Sequence, residues 1–111
     1  MDAPGELSAR IELTASSIEG VERRAEAGGL RYALGGVEFA VVSGDRCAFR
    51  LRPEVAEAAL GTPDVRPSAI GEGWVELAPV ELDRFALDRA ASWFAAAARY
   101  AAETGPGRRL H

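Results

Sequence analysis

Cys47 is the only cysteine and His111 the only histidine in this chain of 111 residues, so nucleophilic and metal chemistry have few groups to draw on. A thiol works as a nucleophile when a base stands beside it and its thiolate is stabilised. His111 is the last residue, and Cys47 alternates with Phe49 along an apolar line, the setting of a small buried hydrophobe. One cysteine forms no internal disulfide, and one cysteine with one histidine cannot complete a His/Cys zinc site. Asp83 and Asp88 are five residues apart and do not share a helical face. No clustered Asp/Glu loop suits a hard cation, and no glycine pair follows a strand to open a helix as a phosphate cradle does. The expectation is no catalytic residue, no metal and no cofactor, with a Cys47-dependent enzyme as an alternative.

Two other groups of residues suggest binding. Arg46, Arg50 and Arg52 fall on one face of a strand, and Arg66 can join them, a set suited to bidentate capture of phosphate or carboxylate. Glu38 and Glu76 offer the other reading, a solvated face of mixed charge. The net charge of −4 speaks against nucleic acid, whose phosphates demand a positive surplus. Every basic side chain is arginine, and Lys, Asn and Gln are absent, a bias that points to a GC-rich coding sequence. Leu87, Phe94 and Ala98 form a second apolar line on a long helix, a candidate surface for a second copy or another protein.

The elements that must position these residues are legible from periodicity and punctuation. Glu6 to Ser17 fits both a helical and an alternating pattern; Pro4 ahead of a turn containing Glu6, and Gly20 behind, favour the helix. Short alternating segments follow at Val21–Ala27, Leu30–Leu34, Val37–Val42 and Arg46–Arg52, separated by Gly28-Gly29, Gly35-Gly36 and Ser43-Gly44-Asp45. They read as an antiparallel meander with Leu30, Tyr32 and Leu34 on one face, Val37, Phe39 and Val41 on one face, and Cys47, Phe49 and Leu51 inward. Pro53 opens a short helix to Leu60, Asp64–Gly73 reads as loop, and Trp74–Ala78 as a further strand that Pro79 stops. Leu82 to Glu103 is the longest helix, with Leu82, Phe85, Ala86, Ala90, Trp93, Ala97 and Tyr100 as its expected core line.

The order of these elements and the glycine spacing resemble the TfoX N-terminal domain. The similarity runs from Val21 through Arg24, Gly28-Gly29 and Gly36 to Phe39-Ala40, then through Asp45 to Phe49-Arg50-Leu51. Toward the C-terminus an apolar strand, Pro79 and a helix with Trp93 followed by Ala97 and Ala101 are similar in kind. Glu26 and Ala27 stand where that family usually has Met and Phe ahead of its glycine pair, and its second domain has no counterpart here. YjbR-like proteins and type III secretion chaperones are similar in architecture. The resemblance implies a curved antiparallel sheet flanked by helices and a tendency to dimerise, and no defined chemistry.

Together these readings predict an α+β domain over residues 1–103 with a sheet of four or five antiparallel strands between an N-terminal and a long C-terminal helix, and a flexible tail over 104–111. No apolar run approaches the roughly 20 residues that span a bilayer, and MDAPGELSAR lacks the order of a signal peptide. The expected role is a cytoplasmic, non-enzymatic interaction or regulatory module acting as a homodimer; a nucleic-acid accessory protein using the arginine face is the alternative.

Overall fold

The computed structural model describes residues 5–104. The chain order is α1 (Gly5–Ser16), β1 (Val21–Glu26), β2 (Gly29–Leu34), β3 (Val37–Ser43), β4 (Arg46–Arg50), α2 (Pro53–Ala59), β5 (Val65–Pro67), β6 (Trp74–Leu77) and α3 (Arg84–Thr104). The strands form one antiparallel sheet in the order β1-β2-β3-β4-β6-β5. The α+β class and the flanking helices are as expected, with six strands in place of four or five. The tail expected over 104–111 lies outside the described residues except for Thr104, which closes α3.

The added strand, β5, carries a proline and is three residues long, so nothing in its own sequence marks it. It exists because Val65, Arg66 and Pro67 lie opposite Leu77, Glu76 and Val75 at the sheet edge, where a proline removes no interior hydrogen bond. Asp64 starts it in a left-handed conformation, with φ of 69°. Its carbonyl accepts the Ala78 N–H at 3.0 Å and its carboxylate accepts the Val80 N–H at 3.3 Å, tying the strand to the segment that leaves β6.

The meander turns where the glycines stand. Gly35 and Gly36 both take positive φ, 61° and 83°, which a two-residue type I′ hairpin loop demands and which side chains resist. Gly29 has a different reason: a Cβ there would lie 2.2 Å from the Val42 carbonyl oxygen. Between β2 and β3 the register slips by one, with Tyr32 opposite Ala40 and Ala33 opposite Glu38, so Phe39 is the extra residue of a bulge. The bulge reverses the alternation expected for β3. Phe39, Ala40 and Val42 are buried, and Val41, expected to share the face of Phe39, is turned to the other one.

One sheet face is covered by α3, which crosses β2, β3 and β4, and by α1 beside it. α1 is a helix, settling its ambiguous periodicity: Leu7 and Ile11 are buried, while Leu13, an inward position only under alternation, is 68% exposed. α3 begins after Asp83, whose Oδ1 accepts the Ala86 N–H at 2.9 Å as an N-cap. Its buried line is Ala86, Ala90, Phe94, Ala97, Ala98 and Ala101. The Phe94 ring packs edge-on against Tyr32 and Phe39, each centroid 5.0 Å away.

The helix is therefore rotated from the expected orientation. Phe85, placed in the core line by periodicity, is 71% exposed, while Phe94 and Ala98, placed on an outer partner surface, are 0% and 2% exposed. Leu87, the third residue of that surface, is half-buried and packs against the core. Both apolar lines satisfy helical spacing, and it is the one carrying Phe94 that packs on the Tyr32 and Phe39 rings. Replacing Phe94 by alanine is expected to cost about 3–5 kcal/mol, and replacing Phe85 by alanine less than about 0.5 kcal/mol in dilute solution, where association contributes nothing; urea denaturation of the two variants at low concentration checks the contrast.

Candidate functional site

The sheet face away from the helices holds the polar chemistry of the molecule. Residues directly opposed in an antiparallel ladder point the same way, so Arg24, Arg31, Glu38, Val41, Ala48, Glu76, Arg66 and Arg46 share this outer face. At its β1–β3 end the charges close into a quartet. Arg24 reaches Glu26 at 2.7 Å and Glu38 at 3.1 Å, and Arg31 reaches the same two carboxylates at 2.8 and 3.1 Å. The Arg31 hydrogen bond, helped by Arg24, holds the Glu26 carboxyl below its ordinary range, and the same bond raises the Arg31 guanidinium. A depression of about 350 Å³ lies beside this quartet, and its arginines and glutamates neutralise each other. The spacing of Arg24, Glu26, Arg31 and Glu38 carried the signal, since all four have outward parity on neighbouring strands; only the strand pairing identifies the partners.

The four arginines expected to form one patch fall into two separate pairs. Arg46 and Arg66 meet at Glu76, whose Oε2 accepts from Arg46 Nη1 at 3.3 Å and from Arg66 Nη2 at 3.5 Å. Arg50 and Arg52 instead gather at the C-terminal end of α3, with guanidinium carbons 4.8 and 5.2 Å from the Tyr100 ring centroid, a cation–π arrangement. Arg52 pairs with Glu103, which raises its guanidinium further, and Arg50 Nη1 donates to Thr104 Oγ1 at 3.4 Å. The split follows from the chain leaving the sheet: β4 ends at Arg50, and Arg52 belongs to the entry of α2. Glu76 is the carboxylate expected beside Arg46, whereas Glu38 serves β1 and β2. With Arg52 paired to Glu103, Arg46 and Arg66 sharing Glu76, and a net charge of −4, the four arginines do not form the continuous positive surface that nucleic acid needs.

Cys47 points to the inner face opposite Leu77 and is 2% exposed. Burial, and secondarily the Glu76 carboxylate, pushes its thiol up to about 12. His111, the base a cysteine mechanism would need, lies outside the described residues. Among the described residues no group of three or more His, Cys, Asp or Glu side chains is placed to hold a metal ion, and no helix is long and apolar enough to cross a membrane. The Tyr32 hydroxyl, enclosed by the core, has no hydrogen-bonding partner among the described residues, and burial raises its pKa.

In the regions between these clusters, two features had no sequence signal. One is the exposed Phe85 at the start of α3, with Val80 just before it 91% exposed. The other is a groove of about 230 Å³ on the outer face, between Val41 and Ala48 on one side and Ile70 on the other. In comparison with known proteins, the chain matches no family model, no curated protein and no solved structure.

The native thiol is expected to resist iodoacetamide at pH 8 and to react once the chain is unfolded in guanidinium, as followed by mass spectrometry. The thiol also sets a pH dependence. Its folded pKa lies above the ordinary 9.0, so its contribution is present in full below pH 9 and is lost as pH rises toward about 12. The fall of the thermal midpoint above pH 9 should accordingly be shallower in Cys47→Ala than in the parent, whatever packing the substitution costs.

Proposed function

We propose that the protein is a cytoplasmic, non-enzymatic interaction or regulatory module that acts as a homodimer, similar in build to a stand-alone TfoX N-terminal domain. The observation that carries this reading is Phe85. Of the eight aromatic side chains in the chain it is the one that stands in solvent, at 71% exposure, while the rest are buried or half-buried. Burying a phenylalanine contributes roughly 2 kcal/mol relative to leaving it in water, which an interface would recover.

The residues around it support a second copy as the partner. Asp83-Arg84 and Asp88-Arg89 bracket Phe85 with the same acidic-basic order, Asp83 also capping α3 and Asp88 also reached by Arg10 at 2.7 Å. In a two-fold arrangement every contact occurs twice, and antiparallel packing of two such segments brings the arginines of one copy to the aspartates of the other. The glycine-turned meander under a long C-terminal helix supports the TfoX-like reading, and the enclosed thiol supports a role that does not use Cys47 as a nucleophile.

Light scattering at high micromolar concentration should return twice the chain mass, and Phe85→Ser should return the mass of one chain while keeping a folded, cooperative thermal transition whose midpoint, unlike the parent's, does not rise with protein concentration. A wild-type protein that stays at one chain mass across that range would overturn the dimer.

A further inference from the structure

The groove on the outer face combines apolar walls with a charged rim formed by Arg46 and Glu76. Its floor is Val41 on β3 and Ala48 on β4, side by side in the ladder, with Ala48 only 6% exposed although it faces away from the core. Its wall is Ile70, 45% exposed, carried by the Ser68–Gly73 segment. That wall is held by hydrogen bonds: Ser68 N–H donates to the Trp74 carbonyl at 3.0 Å, Trp74 N–H to the Gly71 carbonyl at 3.2 Å, and Ile70 N–H to Ser68 Oγ at 3.1 Å. Arg46 and Glu76 line the groove, and Arg66, outside that lining, reaches the same Glu76 carboxylate at 3.5 Å, so two guanidinium groups share one negative charge, and neither has a second carboxylate among the described residues.

We propose that this groove binds a small aliphatic carboxylate, its chain on Val41, Ala48 and Ile70 and its carboxylate completing the Arg46–Arg66 pair. The surplus guanidinium donors select an anion, and a carboxylate matches their planar fork. The floor selects an alkyl chain over a peptide. β3 and β4 are interior strands, hydrogen-bonded on both sides. A peptide laid across them would gain no backbone hydrogen bonds from the sheet, the interaction by which an extended peptide is ordinarily held on a sheet edge, and an alkyl chain needs none. The proposal is independent of the dimer, because Phe85 lies in a different segment from every groove residue.

The test is an NMR titration of ¹⁵N-labelled protein with sodium octanoate below its micelle-forming concentration. Octanoate should shift the amides of Val41, Ala48 and Ile70 saturably, and acetate and 1-octanol should each shift them several-fold less at equal concentration. Arg46→Ala and Arg66→Ala, each leaving a neutral rim, should weaken octanoate about tenfold. Glu76→Gln, which leaves both arginines uncompensated, should tighten it several-fold, a direction that a purely structural role for Glu76 does not produce. Ile70→Ala, a change in an exposed loop, should weaken it without altering the spectrum of the sheet. Octanoate shifts no larger than those of acetate, shifts centred away from the groove, or a Glu76→Gln variant that binds less tightly than the parent would overturn the proposal.

Discussion

The seating of Phe94 between Tyr32 and Phe39 decides most of what the rest of the molecule presents. α3 is dominated by alanine on its buried side, with Ala86, Ala90, Ala97, Ala98 and Ala101 offering little shape by which to fix a rotation. One ring in a slot between two others supplies that shape, and edge-to-face contacts at 5.0 Å make it specific. The slot depends in turn on the β3 bulge, since the extra residue is Phe39 itself. A local irregularity in the ladder thus sets the rotation of the longest helix, and the rotation sets which of its side chains meets water.

The consequence is a division of labour between the two sheet faces. The inner face takes the aromatic residues Tyr32, Phe39 and Phe49, together with Cys47, and the buried set contains no charged side chain. The outer face takes guanidinium groups and carboxylates in nearly matched numbers. Exposed ion pairs of this kind contribute little stability. Their effect is on recognition, because guanidinium groups matched one to one by carboxylates leave no surplus charge for an anion. At the β1–β3 end the balance is complete, two against two. At the β4–β6 side it is two against one, beside apolar surface, and that asymmetry gives the outer face its chemical direction.

Many elements were legible in the sequence. Two glycine pairs and Ser43-Gly44-Asp45 between short alternating runs marked three hairpins, Pro53 marked the start of α2, and the apolar periodicity marked α3 to within two residues of each end. The inward set Tyr32, Cys47, Phe49 and Leu51 followed from parity within each strand. Where parity failed, in β3, the cause was the bulge, which inserts a residue without any change in composition. β5 was not legible because its hydrogen bonds belong to β6, and the candidate patch of Arg46, Arg50, Arg52 and Arg66 was not, because parity along one strand says nothing of where the chain bends afterwards.

Sequence alone determined the local conformations: where φ must be positive, where a backbone N–H is missing, which runs repeat at two residues and which at three or four. These are properties of a residue and its near neighbours, so they survive without a fold. Tertiary structure decided every choice between equivalent local solutions, including which of two apolar lines on α3 faced the sheet, which glutamate each arginine met, and whether Phe85 or Phe94 entered the core. Such choices turn on the shape of a cavity or the position of a distant strand, and those exist only once the chain has closed on itself.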